Sequence, residues 1–324
     1  MKRRVFASST RTIRRLIQLG VVGLFSYVAI RHQVSGTAPL DSYCPFGAIE
    51  TLPSLLSGDG FINKVGQSNL VLLAAALIVS LLASGAFCGW LCPFGAVQEW
   101  LSALARRIFG RQLTVPAGVH RYLKHLRWGV LVLIVVMSAR YMGLWFADYD
   151  PFRAMFHFKF ENALAIGLVV GTVVGALAIE RFWCMYACPL GALVGLAGLL
   201  GITKVRRDVD VCTSCGICSK ACPSRIDVAS APRRVADMHC TMCTECVDAC
   251  PESGALVLST GAKGEAFRPL AVGLAATALF FALIGTSFAM GWWVPSASCG
   301  GCSSASESVA PVSMESLIEA VGDK

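Results

Sequence analysis

Five apolar stretches punctuate the chain, at about Thr12–Arg31, Asn69–Phe87, Leu126–Phe146, Ala163–Ile179 and Pro269–Val294. Each is close to the length, about 20 residues, that a helix needs to cross a bilayer. Hydrocarbon offers no partner to a backbone N–H or C=O, so a segment that crosses it must pair those groups within itself, as a helix. Composition agrees: 55% of the 324 residues are hydrophobic and only 15% are charged, against about 25% in a soluble domain. A single water-soluble globule is excluded, and so is intrinsic disorder, which goes with few apolar residues. Arg14 and Arg15 interrupt the first stretch near its start. Their long stems are expected to reach back to the headgroups and keep the span. Arg3-Arg4-Val5-Phe6 alternatively hints at a twin-arginine signal, but no convincing small-residue cleavage site follows the apolar run.

Lysine and arginine counts in alternate connections set an orientation. The N-terminus to Arg15, the 88–127 connection and the 180–268 connection together hold 22, whereas 31–68, 147–162 and the tail hold 5. The N-terminus and the basic connections are therefore expected to be cytoplasmic and the C-terminus outside, as in a bacterial-type inner membrane. The net charge of +8 follows this asymmetry, so no nucleic-acid partner is expected. Pro189 to Ile202 is apolar but too short to span, and is expected to lie in the interface or re-enter. Beyond it the chain is charged and cysteine-rich to about Lys263.

Cys212-x2-Cys215-x2-Cys218-x3-Cys222-Pro223 recurs 28 residues later as Cys240-x2-Cys243-x2-Cys246-x3-Cys250-Pro251. So regular a repeat implies two equivalent halves. Tight spacings wrap three thiolates around one face of a cubane, and the fourth must come from elsewhere. This segment resembles bacterial two-cluster ferredoxins. By that pattern Cys212, Cys215, Cys218 and Cys250 hold one [4Fe–4S] cluster, and Cys240, Cys243, Cys246 and Cys222 hold the other. Structural zinc is the alternative, although zinc requires neither a third x2-spaced cysteine nor the trailing Cys-Pro.

Two further motifs close apolar stretches: Phe87-Cys88-Gly89-Trp90-Leu91-Cys92-Pro93-Phe94-Gly95 and Phe182-Trp183-Cys184-Met185-Tyr186-Ala187-Cys188-Pro189-Leu190-Gly191. A Cys-x3-Cys pair sets two thiols about one helical turn apart on one face. Two pairs at one depth offer four thiolates, so Cys88, Cys92, Cys184 and Cys188 are candidates for an additional iron–sulfur centre; the plainer alternative is that they simply pack as small apolar residues. Cys44 begins a single-cysteine version, Cys44-Pro45-Phe46-Gly47-Ala48, with Leu40 where its partner would fall. Cys44 is expected on the outer side together with Cys299 and Cys302. The latter two form either a disulfide, suited to an oxidising compartment, or, with Cys44, a soft-metal or dithiol site.

With Cys-Pro-Phe-Gly-Ala, both Cys-x3-Cys-Pro motifs and the ferredoxin pair, residues 40 to 262 resemble the NapH/NosR-type membrane polyferredoxins, a group that includes CcoG-like proteins. The resemblance implies electron transfer between a quinone pool or cytoplasmic donor and a partner reductase or metal-centre maturation step. It looks like the shorter members, without the large flavin-binding domain.

Other residues carry plainer expectations. His120 and His125 read as a solvated interfacial face and Arg140 as snorkelling near the outer end of its span, while Asp148, Asp150 and Glu161 read as solvated. His239, beside Cys240, is placed to donate a hydrogen bond to a cluster sulfur, or is surface polar. No Walker loop, dinucleotide fingerprint, nucleophile elbow or paired catalytic carboxylates stand in a supporting context, so no substrate-transforming site is expected.

The expected fold is an all-α polytopic membrane protein of about five transmembrane helices with an inserted small α+β two-cluster ferredoxin-like domain. Its parts are 1–32, the N-terminus and first span; 33–68, an outer loop; 69–203, spans two to four; 204–263, the two-cluster domain; 264–294, the fifth span; and 295–324, an outer tail. The expected function is a membrane-anchored iron–sulfur electron carrier, with lipid, quinone and a redox partner protein as partners. The alternative is a redox or metal-handling maturation factor for an extracytoplasmic metalloenzyme.

Overall fold

The computed structural model describes residues 2–35, 44–58, 65–110, 112–113, 115–141, 143–157, 162–261 and 264–293. Cys299 and Cys302, with the tail that carries them, lie outside the described residues, as do Leu40 and Glu161.

Among the described residues, three helical stretches are long and apolar enough to cross a membrane: Thr10–Arg31, Gly118–Tyr141 and Pro269–Ala289. The first belongs to α1 (Lys2–Ser35), the second to α5 (Ala117–Leu123) and α6 (Leu126–Tyr141), and the third is α13. The other two expected spans are helices of 16 residues, α3 (Gln67–Leu82) and α8 (Ala163–Ala178). Each rises about 24 Å, short of a hydrocarbon core about 30 Å thick. The expected second span ends early because Ser84 turns the chain at φ 36°, and its Oγ donates to the carbonyls of Gly198 (3.1 Å) and Thr203 (2.7 Å). A π-helical turn, Phe87–Leu91, then leads into α4 (Pro93–Phe109). Arg140 is exposed in the last turn of α6.

Several connections are more structured than loops. The 33–68 stretch contains α2 (Pro45–Ser57), which packs on α3 and α6, and 147–162 contains α7 (Pro151–His157), which packs on α8. The apolar stretch after Cys188 forms α10 (Pro189–Leu199), which follows the short helix α9 (Phe182–Tyr186). α10 packs against α3 and α6, with Ala192 and Val194 buried.

A three-stranded antiparallel sheet runs in the order β1 (Thr203–Arg207), β2 (Leu256–Thr260), β3 (Ala266–Phe267), with Val205 opposite Leu258; β1 and β2 flank the cysteine repeat and β3 follows the expected end of the segment. Within it the 28-residue repeat extends to backbone conformation. Ser214 (φ 55°) and Gly216 (φ 73°) precede α11 (Ile217–Lys220), and Met242 (φ 49°) and Thr244 (φ 64°) precede α12 (Glu245–Ala249). Left-handed residues beside helical ones turn successive N–H groups inward, a concavity suited to an anion.

Segment and helices share one hydrophobic core. The cluster that contains Leu72, Val79 and Trp90 continues into Val205, Met242 and Leu258. Trp90 is completely buried and its Nε1–H donates to the Met242 carbonyl at 3.0 Å.

Candidate metal centres

Cys44, Cys92 and Cys188 share one local geometry. Each is the N-cap residue of a helix, α2, α4 or α10, with extended backbone and a proline in the first helical turn. Proline suits that turn because its missing N–H would be unpaired there anyway. The sulfur thus sits at the positive end of a helix, which favours a thiolate. At Cys188 the Gly191 N–H donates to Sγ at 3.3 Å.

Among the described residues, three small cavities each gather a set of four cysteines. Cys212, Cys215, Cys218 and Cys250 line one, beside Arg207 and Ser214. Cys222, Cys240, Cys243 and Cys246 line a second. Cys88, Cys92, Cys184 and Cys188 line a third of about 50 Å³, whose wall also includes Cys240, His239, Arg127 and Arg181. Among the described residues no group of three or more His, Cys, Asp or Glu side chains is set to hold a lone metal ion.

The surroundings of these thiols differ in charge. Burial pushes Cys88, Cys184 and Cys188 well above the ordinary thiol range, and Cys222 and Cys240 up to about 12. Without a metal such thiols hold their protons, and metal binding displaces them. Half-buried Cys212 moves the other way, lowered by a hydrogen bond from Arg207 Nε at 3.2 Å. Gln98 is buried on α4; its Nε2 donates to Cys184 Sγ at 3.1 Å, while its Oε1 accepts from Trp183 N–H at 3.0 Å.

Two buried guanidinium groups close the third cavity. Arg127 donates to the carbonyls of Gly191 (3.4 Å) and Met238 (3.3 Å). Arg181, left-handed at φ 54°, donates to the Cys88 carbonyl at 3.3 Å and to Glu99 Oε2 at 2.8 Å. It lines the third cavity together with Cys184. Arg14, expected to reach the headgroups, is instead 1% exposed and ion-paired to Glu99 (2.5 Å) and Glu245 (2.9 Å). A carboxylate partner within reach makes that buried position cheaper than a snorkelled one.

The donor set fits an anionic sulfide cage. Arg127 Nε, Arg181 Nε, Thr241 Oγ1 and Thr244 Oγ1 are buried without a hydrogen-bond partner, and each of these residues lines the second or third cavity. Buried polar groups are ordinarily paired, and sulfide accepts from such donors. His239 belongs to the same wall: its Nδ1 is 2.9 Å from Asp237 Oδ1, and its buried Nε2 has no partner.

A separate, larger cavity of about 340 Å³ lies beside these sites, with Val21 and Phe25 of α1, Leu72 of α3 and Ile284 of α13 in its wall. Cys44, Cys92 and Cys188 also line it, so Cys44 shares a space with two cysteines from which the connection count separates it. Asp150, expected to be solvated, is 8% exposed and lines the same cavity. The cause is α7, which folds into the bundle and carries Asp150 with it, Phe152 N–H donating to Asp150 Oδ1 at 3.0 Å. Asp148 stays half-exposed and pairs with Arg153 at 3.2 Å. His120 is half-buried, its Nδ1 2.9 Å from the Tyr186 hydroxyl, rather than on a solvated face.

Sequence reasoning missed Glu99, Gln98, Arg127 and Arg181. The available signal is faint: Glu99 and Gln98 stand in a segment dense in apolar residues just after Cys92-Pro93, and Arg181 directly precedes the second aromatic–cysteine motif.

Residues 65–112 and 162–207 match the family described as a 4Fe-4S binding domain, and 204–251 match the 4Fe-4S dicluster domain. The first two segments contain the Cys88–Cys92 and Cys184–Cys188 pairs; the last contains the eight cysteines of the repeat. YccM of Escherichia coli K12, named for electron transport, is 31% identical over 269 residues, covering 78% of this chain and 74% of its own. The ferredoxin-type protein NapH of the same organism is 30% identical over 279 residues, 78% of this chain and 91% of its own. NirI of Paracoccus denitrificans is 33% identical over 201 residues, 60% of this chain and 29% of its own. No solved structure matches the chain.

Proposed function

The chain belongs to the NapH/NosR-type ferredoxin family of membrane proteins, and from that premise we propose a membrane-anchored relay that passes single electrons between a quinone pool or a cytoplasmic donor and a partner reductase. The observation that carries the reading is the grouping of twelve cysteines into three sets of four, each set lining its own cavity, with Cys240 of the second set also reaching the third cavity.

In this reading Cys212, Cys215, Cys218 and Cys250 hold one [4Fe–4S] cluster, and Cys222, Cys240, Cys243 and Cys246 hold a second. Cys88, Cys92, Cys184 and Cys188 hold a third centre at the membrane edge. Bound clusters supply one-electron chemistry, with potentials set by charge, burial and hydrogen bonding. The chain's own residues provide those controls. Backbone N–H groups of Ser214, Met242 and Glu245 face Cys212, Cys240 and Cys243. Gln98 donates to Cys184, and Arg127 and Arg181 offset the negative charge of the thiolate set at the third site.

The large cavity suits a quinone: its wall is almost wholly apolar, it reaches Cys92 and Cys188, and Asp150 offers a carboxyl to take or give a proton. The lysine and arginine asymmetry supports a cytoplasmic location for the cysteine-rich segment. α3 and α8 complete a five-span topology in a bilayer locally thinned or lined by their neighbours.

Iron and acid-labile sulfide counted on anaerobically purified protein test the reading. Three cubanes require about twelve of each per chain and two require about eight, and dithionite reduction should bring up low-temperature paramagnetic resonance. A colourless protein that carries zinc alone overturns it.

A further inference from the structure

Backbone crowding singles out one contact between the cysteine-rich segment and the membrane helices. The segment's Met238–Cys243 loop runs between the π-helical turn Phe87–Leu91 and α10. A Cβ on Gly89 would overlap the carbonyl oxygen of Thr241, and one on Gly195 would overlap the carbonyl oxygen of Met238. Both obstacles are backbone, so only glycine lets the loop sit this close. Side chains pin the loop where glycine admits it: Trp90 Nε1–H donates to the Met242 carbonyl at 3.0 Å and Arg127 Nη2 to the Met238 carbonyl at 3.3 Å.

The loop brings two sites into register. Ser224, Cys240 and Thr241 line both the cavity of the Cys222 set and that of the Cys88 set. The Cys212 set shares no lining residue with the Cys88 set, and its Cys215 is exposed to solvent.

We infer that electrons pass between the segment and the membrane-edge centre at this one crossing, where Gly89 and Gly195 seat the Met238–Cys243 loop. The site of Cys222, Cys240, Cys243 and Cys246 is then the intermediary, and the site of Cys212, Cys215, Cys218 and Cys250 is the port for a soluble one-electron donor. The inference rests on the three-centre reading above. At the crossing one electron leaves the intermediary, which is oxidised by one unit, and reduces the membrane-edge centre by one unit. No bond forms or breaks and no proton moves. The same step runs backwards when a quinol is the reductant.

The test uses the full chain in detergent, reduced anaerobically. Wild type should show paramagnetic signals broadened by interaction between the intermediary and the membrane-edge centre. In Gly89→Ala and Gly195→Ala that broadening should fall, and reduction of the membrane-edge centre by a soluble donor should slow roughly tenfold or more, as ångström-scale misplacement of reacting groups does. Iron content and reduction of the Cys212-set cluster should stay as in wild type. Gly171→Ala, at a position with nothing within 4 Å of the added carbon, should change neither. If the glycine variants lose iron, Trp90→Phe decides: it keeps most of the ring's bulk and removes the bond to Met242. Slower reduction at full iron supports the crossing. Unchanged broadening and rate at full iron, in either glycine variant or in Trp90→Phe, overturns it. A wild-type iron content of about eight per chain instead refutes the three-centre reading beneath it.

Discussion

Arg181 Nη2 lies 2.8 Å from Glu99 Oε2, where both side chains are almost closed to solvent. With Arg14 on its other oxygen, Glu99 bridges two buried guanidinium groups. Burial raises its pKa, but the fields and hydrogen bonds of Arg181 and Arg14 outweigh that and hold it well below the carboxylate range. Glu99→Ala strands the charge of Arg181 and leaves Arg14 with Glu245 alone, and removing one partner of a buried ion pair costs about 3–5 kcal/mol. Thermal unfolding in detergent should show a loss of that order.

The same carboxylate gives a pH dependence. Its folded pKa lies below its unfolded value, so its contribution is complete above about pH 4.5 and is lost as pH falls through the depressed folded value. Wild-type stability should therefore fall on acidification below about pH 4.5, whereas Glu99→Gln should start lower and decline less steeply. Parallel declines would show that Glu99 is not the group responsible.

Replacing Cys88 and Cys184 together with serine should lower iron from about twelve to about eight per chain and leave the two ferredoxin-type signals in place. Replacing Cys240 should instead remove signal from the second cluster. Chemical iron analysis with paramagnetic resonance separates the two outcomes.

Removing positive charge beside the third site should make it harder to reduce. A unit charge at ~8 Å changes the cost of adding an electron by about 0.5–2 kcal/mol, or roughly 20–90 mV for a one-electron couple. Arg127→Gln should lower the midpoint potential of the membrane-edge centre by that amount and leave the Cys212-set potential in place. A redox titration followed by resonance reads both.

Leu72→Trp projects bulk into the 340 Å³ cavity from α3. Overpacking costs about 1–3 kcal/mol, so the fold should survive while quinol-driven cluster reduction falls sharply. Reduction by dithionite should stay unchanged. Undiminished quinol-driven reduction would remove this cavity from the electron path.

What the sequence by itself determined is whatever repeats or alternates along the chain. Apolar stretches of near-bilayer length dictate helices, because backbone groups in hydrocarbon must pair within their own segment. The 28-residue cysteine repeat implies two equivalent halves, and the structure repeats their left-handed positions, Ser214 and Gly216 in one and Met242 and Thr244 in the other. That Cys-Pro opens a new helix is not read from the sequence, where both Cys-x3-Cys-Pro motifs close apolar stretches; the structure makes Cys92 and Cys188 N-cap residues. Only the tertiary structure decided which distant residues meet. Arg14 looked like a snorkelling side chain until Glu99, 85 positions away, supplied its partner. Asp150 looked solvated until α7 folded into the bundle, and the Cys88 and Cys184 pairs are joined by the packing of α4 on α8. Such meetings follow from close packing and charge pairing between elements far apart in the chain, which leave no periodic trace along it.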